Sequence, residues 1–268
     1  MLVVSRNEMW TMVFSADVDA NDGITPTRTD ASSKAVHRRV CHYRVMTAYQ
    51  AVLFDWMLTL ADYPEPTVHV VQAACSLGID LSTGDAAGLV ELLDEASTLP
   101  EVREAMRFED CSAELHRAAN LLHYQRAGID PPLASAMYGL LGDPTFHPIY
   151  PETQEVLAQL KLRGICVVVV SDIHVDLRLH AEIGDIAGFI DHWVLSFEHG
   201  VQKPQPRIFE LALEAAGVGA EDALMVGDRA SHDGAASAIG IDTLILPRRA
   251  RSATLKSNRL ARVLNLVV

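Results

Sequence analysis

Cysteine is scarce and carries no pairing pattern. Cys41, Cys75, Cys111 and Cys166 form no CxxC pair and no Cys/His group with zinc-ligand spacing, which excludes a disulfide framework and a zinc ribbon. Reduced thiols are expected, and with them a cytoplasmic protein. Long apolar runs are also missing. Crossing a bilayer takes roughly 20 such residues, and the longest aliphatic run, Cys166 to Val170, has the length of a strand. The N-terminus lacks the long apolar region and small-residue cleavage pattern of a secretory signal. Positive charge is sparse: 22 Lys and Arg stand against 35 Asp and Glu, a formal net charge of −13. Six basic residues fall in 1–49 and six more in 247–268, which leaves 50–246 with a net of −20. A body so acidic repels nucleic acid and anionic lipid, and neither is expected as a partner. An anionic substrate would need a local cation.

What is present is a chain of 268 residues, 49% hydrophobic, able to bury a full core. Residues 1–45 show no sustained periodicity and read as a disordered extension, so translation could begin at Met46. From Gln50 five short apolar runs appear: AVLFD (51–55), CVVVVSD (166–172), HWVLS (192–196), ALMVGD (223–228) and DTLIL (242–246). Stretches of helical period at 152–163, 175–183, 206–216 and 233–239 separate the last four or lead into them. Near-continuous aliphatic strands alternating with helices predict an α/β fold with a Rossmann-like parallel sheet core. Between the first strand and the helix before the second, residues 62–147 hold four stretches of helical spacing and no strand candidate. They read as an inserted all-helical subdomain. The expected division is 46–61 and 148–268 for the core and 62–147 for the insertion, with a short helix near Leu260–Leu266 ending the basic tail.

Sheets of this kind carry their chemistry at the carboxyl ends of the strands, and Asp55, Ser171 and Asp228 each follow an apolar run there. Four loops stand out: Phe54 to Leu60, Val170-Ser171-Asp172, Gln202-Lys203-Pro204, and Val226 to Asp233. Taken singly, each has an ordinary explanation as a turn or helix cap. Together and in this order, VLFDWxxTL, the Ser-Asp pair, EHGVQKPQPRIF and MVGDRASHD resemble the four motifs of the haloacid dehalogenase-like hydrolase superfamily. The resemblance covers 50–246, with the insertion where that superfamily carries its helical cap.

The resemblance implies a hydrolase acting on a small phosphorylated metabolite. Asp55 would be the nucleophile forming an aspartyl-phosphate. Mg²⁺ would be held by Asp55, the Met57 carbonyl, Asp228 and Asp233. Lys203 would supply fixed positive charge. Ser171, Asp172 and Thr59 would join Lys203 in binding the phosphoryl group. It sets no oligomeric state. The chain departs from the family's phosphatases at one position: Met57 stands where they place a second Asp, the general acid and base. Methionine transfers no proton, and such help is typically worth about 10²–10⁴-fold. Turnover is therefore expected to be slow or confined to good leaving groups, unless His174 or a cap residue supplies the proton. With Lys34, Lys161, Lys203 and Lys256 the only lysines, none in 62–147, the Schiff-base mechanism of phosphonoacetaldehyde hydrolases is excluded. Dehalogenases of the family also lack the acid. They carry Ser/Asn-type residues where this chain has Gly227-Asp228, which ranks a 2-haloacid substrate second. A non-catalytic phospholigand-binding protein ranks third.

Overall fold

The computed structural model describes residues 49–247 and 259–267, so the expected extension 1–45 and a start at Met46 lie outside the described residues. Five strands form one parallel sheet: β1 (Ala51–Phe54), β2 (Cys166–Ser171), β3 (His192–Leu195), β4 (Ala223–Gly227) and β5 (Asp242–Ile245). Their spatial order is β3-β2-β1-β4-β5, with the first strand at the centre and the chain winding outward to either side of it. Phe54 lies in register with Val169 of β2 and Val226 of β4. The residues that follow these positions, Asp55, Ser171 and Asp228, therefore emerge at one edge of the sheet, in the crevice where such folds hold ligands.

Successive side chains of a strand face opposite sides, and both sides are buried here. Val52, Phe54, Val167, Val169, Leu224 and Val226 belong to one apolar cluster, and Leu53, Val168, Val170, Ala223 and Met225 to the other. This is why the strands read as unbroken aliphatic runs.

The stretch from 62 to 147 holds five α-helices and, among the described residues, no strand of the sheet. They are α1 (Pro66–Ser76), α2 (Thr83–Ala96), α3 (Pro100–Met106), α4 (Ala113–Arg126) and α5 (Pro131–Leu141). Ser82 and Ser112 cap α2 and α4, accepting hydrogen bonds from the N–H groups of Asp85 and Leu115. The helix α3 was not expected: it has seven residues and starts on a proline, with Val102 its one buried side chain, too little periodicity to register in sequence. Residues Val70, Ala73, Tyr124, Leu133 and Met137 give this helical stretch a cluster of its own.

The core helices are α6 (Thr153–Leu162), α7 (Arg178–Ile183), the single turn α8 (Ser196–His199), α9 (Pro206–Ala216) and α10 (Ala261–Leu266). Proline opens α9 and Gly217, at φ 68°, closes it. Its fully buried Ile208 and Phe209 contribute about 1.5–3 kcal/mol each. The expected helix at 233–239 is a 3₁₀ helix, and α7 starts three residues later than expected because Asp176 first makes a turn with the Arg178 N–H. Cys75, Cys111 and Cys166 are free. No helix of the described residues is long and apolar enough to cross a membrane.

His147, in the link between α5 and α6, is 1% exposed. It packs against Tyr63 and Phe146, with ring centroids 5.2 and 5.1 Å away. Its ring nitrogens have no hydrogen-bond partner of normal geometry. Burial lowers its pKa to about 4, against a smaller opposing pull from the Asp62 and Leu141 backbone. The folded state thus binds fewer protons than the unfolded state between about pH 6.5 and pH 4, and stability is lost as pH falls through that window. His147→Phe keeps the ring and removes the base. Urea unfolding should show the variant gaining on wild type by about 2 to 3 kcal/mol between neutral pH and pH about 4. A constant difference between the two would contradict a neutral buried His147.

Candidate active site

The Asp55 N–H donates to the Val226 carbonyl at 2.9 Å, so the residue leaves β1 still tied to β4. The chain then turns back: the N–H groups of Leu60 and Ala61 both reach the Trp56 carbonyl, at 2.9 and 3.0 Å, and Leu58 N–H reaches Ala61 O at 2.7 Å. Leu58 sits at φ 59°, a left-handed conformation that costs a residue with a β-carbon roughly 1–2 kcal/mol. Thr59 is fully buried, and its Oγ1 lies 3.4 Å from Asp55 Oδ2. The hydroxyl faces the carboxylate at the long end of hydrogen-bond reach.

Lys203 enters from the loop after α8. Its side chain is 2% exposed, and its Nζ donates to Asp55 Oδ1 at 2.6 Å and to Asp233 Oδ1 at 2.7 Å. The Lys203 backbone N–H donates to Asp172 Oδ1 at 2.8 Å, so the Asp172 carboxylate braces the loop that carries the ammonium. On the β4 side, Asp233 Oδ2 accepts the Arg229 N–H at 2.8 Å. Ligand atoms of the buried Asp55, Asp228 and Asp233 all lie within 4.8 Å of one another. Ser171, at the end of β2, is 1% exposed and its Oγ has no hydrogen-bond partner.

Burial opposes the charge on Lys203, but Asp55, Asp172 and Asp233 outweigh it and hold the ammonium protonated far up the pH scale. Burial drives the Asp55 carboxyl the other way, well above the usual carboxylate range. The Lys203 charge pulls against this, and Asp233 and Asp172 add to it. One ammonium thus serves several carboxylates. A cluster of buried carboxylate oxygens with negative charge in excess is the donor set a hard dication takes.

A family model for haloacid dehalogenase-like hydrolases matches residues 49–240. The chain belongs to that family. Among relatives, a phosphoserine phosphatase of Thermus thermophilus is 38% identical over 90 residues, 32% of this chain and 35% of that protein. A glyceraldehyde 3-phosphate phosphatase of Methanothermobacter thermautotrophicus is 32% identical over 193 residues, 69% of this chain and 79% of that protein. The first relatives are thus matched over about a third of their length. In fold, the chain resembles the HAD-hydrolase YfnB of Bacillus subtilis, solved bound to magnesium. The TM-score is 0.61 at 17% identity, covering 82% of this chain and 100% of that one. It also resembles the L-2-haloacid dehalogenase of Xanthobacter autotrophicus, at TM-score 0.56 and 18% identity over 81% of this chain and 88% of that one.

In this chain the structure brings Asp55, Lys203, Asp228 and Asp233 into one buried group, with Thr59 near the Asp55 carboxylate and Asp172 on the Lys203 backbone. Met57 is partly buried, with its side chain packed on the core. Arg259 is a residue that sequence reasoning missed. It is 6% exposed, and its guanidinium donates to the carbonyls of Leu58 (3.0 Å) and Pro247 (3.1 Å) while lying 4.8 Å over the Tyr150 ring. From the basic tail it holds the turn that follows Asp55.

Gly227 is required by close approach rather than by its backbone angles. A β-carbon there would stand 2.2 Å from Asp233 Cγ, and β4 cannot retreat from a paired position in the sheet. Gly227→Ala must therefore push Asp233 off Lys203. Overpacking of this kind costs about 1–3 kcal/mol, and a displacement near 1 Å in a site can cost about 10²-fold in rate. Urea unfolding and steady-state turnover check both; full activity in the variant would show that Asp233 need not stand where it does.

Proposed function

We propose that this hydrolase is a Mg²⁺-dependent phosphatase of small phosphorylated metabolites, working through an aspartyl-phosphate on Asp55. The observation that carries the reading is the buried ammonium of Lys203 bridging Asp55 and Asp233, at 2.6 and 2.7 Å, beside Asp228. The carboxylates of Asp55, Asp228 and Asp233 and the Met57 carbonyl would hold the ion, which when bound supplies positive charge at the phosphoryl oxygens. Asp55 attacks phosphorus, with the Thr59 hydroxyl beside its other carboxylate oxygen. Lys203 offsets the repulsion between that carboxylate and an anionic substrate. The unpartnered Ser171 Oγ is a donor waiting for an acceptor, and a phosphoryl oxygen satisfies it. The helices of 62–147 serve as the cap over this crevice. The phosphatases among the relatives support a phosphorylated substrate of metabolite size.

A 2-haloacid substrate would leave the acidic cluster of Asp228 and Asp233 without a purpose, since halide displacement by a carboxylate needs no dication. Parallel assays with p-nitrophenyl phosphate, acetyl phosphate and 2-chloropropionate, with Mg²⁺ and with a chelator, separate the readings. Phosphate release that needs Mg²⁺ is expected. Chloride release without metal, or calorimetric binding of phosphate esters with no product, would overturn the proposal.

A further inference from the structure

The short 3₁₀ helix Glu109–Cys111, between α3 and α4, is seated on two of the loops that build the site. Ser196 Oγ accepts from the Ile173 N–H at 2.8 Å and lies 2.6 Å from the Asp110 carbonyl, to which it donates. Cys111 Sγ lies 3.5 Å from Gln202 Oε1, and Gln202 Nε2 donates to the Arg107 carbonyl at 3.4 Å. The Asp110 backbone is thereby tied through Ser196 to the segment just after Ser171, and its neighbour Cys111 to the residue just before Lys203. Its side chain is 22% exposed, open enough to meet a ligand, and Asp172, Arg229 and Lys203 all act on its charge.

Around it lies a group that the chemistry on Asp55 does not use. Asp110 Oδ1 is 3.9 Å from His116 Nε2. The His116 ring stacks on that of His174, with centroids 3.5 Å apart and planes 5° from parallel, and His174 Nδ1 is buried without a partner. Atoms of Asp110, His116 and His174 come close enough to suggest a metal centre, but the ring geometry argues otherwise. Imidazole binds an ion through an in-plane lone pair, and two parallel rings stacked face to face share no in-plane point. Burial lowers the pKa of His116 to about 3 and of His174 to about 4, so both rings are neutral. Burial, with Asp172 adding to it, raises the Asp110 carboxyl to about 7, against Arg229 and Lys203. Asp110 Oδ1 thus faces the Nε2 edge of a neutral, buried ring, and the carboxyl group is disposed to keep its proton.

We propose that Asp110 is the proton donor to the leaving group, and the base for water on the return step, in place of the carboxylic acid that position 57 lacks. The proposal rests on the phosphatase reading. In the first step Asp55 bonds to phosphorus, the ester P–O bond breaks, and the departing oxygen takes the Asp110 proton. In the second, water bonds to phosphorus and loses a proton to the Asp110 carboxylate. The Asp55–phosphorus link then breaks, releasing phosphate and restoring both side chains.

Asp110→Asn preserves shape and removes the proton, and its effect should depend on the leaving group. Hydrolysis of glycerol phosphate, whose alkoxide needs a proton, should fall about 10²–10⁴-fold. Hydrolysis of p-nitrophenyl phosphate, whose phenolate leaves unaided, should fall only a few-fold. Adding Met57→Asp to Asp110→Asn should restore part of the glycerol phosphate activity. Equal losses on both esters, no loss on the alkyl ester, or a wild type that cleaves the aryl ester alone would each overturn the assignment. Should Asp110→Asn not fold, wild-type rates across esters of rising leaving-group basicity decide it: a shallow dependence supports a donor and a steep one removes it. Turnover that survives Asp55→Asn would instead sink the phosphatase reading itself.

Discussion

Asp55→Asn should reduce phosphate-ester turnover by about 10⁴-fold or more, the scale on which removal of a nucleophile is felt. The amide has the shape of the carboxylate and none of its nucleophilicity, so the loss belongs to the chemical step. Stability should move the other way or not at all. Asp55 is one of several carboxylates around one ammonium, and burial and its acidic neighbours already push its pKa up; removing its charge relieves repulsion, while Asp233 still holds Lys203 at 2.7 Å. Phosphate release with saturating Mg²⁺, paired with thermal unfolding, reads both quantities. A folded variant that retains turnover would remove Asp55 from the chemistry.

Lys203→Met should be the most destabilising single substitution in the site. The methionine fills most of the space of the lysine stem, so what is lost is the charge. The ammonium is 2% exposed and contacts two carboxylates that are 10% and 1% exposed. Removing one partner from such a group leaves the others buried and uncompensated, at a cost of about 3–5 kcal/mol. The penalty should shrink as pH falls, because the Lys203 charge is what pulls the buried Asp55 carboxyl down; without it Asp55 takes up a proton more readily, and a neutral carboxyl is cheaper to bury. Urea unfolding of wild type and variant near pH 8 and near pH 5 tests this. A pH-independent difference would mean that packing, not charge, decides the cost. Turnover should fall by about 10²–10³-fold, as when a charge-stabilising donor is removed elsewhere.

Much of this site could be read from the chain because its residues obey a local rule: a buried parallel strand is an unbroken aliphatic run, and the polar residue ending the run stands at the functional edge. Asp55, Ser171 and Asp228 announce themselves that way, and Lys203 and Asp233 follow from motif order. The helices α1, α2, α4 and α5 were legible for a similar reason, each having enough turns to show its period. What stayed hidden depends on contacts between distant segments. Arg259 looks like one more charge in a basic tail until its guanidinium is seen on the Leu58 carbonyl. Asp110 looks like a surface acid between two helical stretches, and its place comes from the Ser196 side chain on its own carbonyl and the Gln202 side chain on neighbouring Cys111. His116 and His174 are ordinary histidines in sequence, and only their stacking makes them one wall. Leu58 at positive φ is invisible because nothing in a leucine marks a left-handed turn. The gap at Met57 was legible as an absence, and the residue we infer to fill it was not.

The central claim is that phosphorus bonds to Asp55 during turnover. Its most direct test is to quench the hydrolase in acid while it turns over acetyl phosphate with Mg²⁺, then digest it and locate any added phosphoryl group by mass spectrometry. A phosphorylated peptide containing Asp55 is expected, absent when a chelator is added and absent in Asp55→Asn. Steady phosphate release with the label on another residue, or persisting in Asp55→Asn, would contradict it.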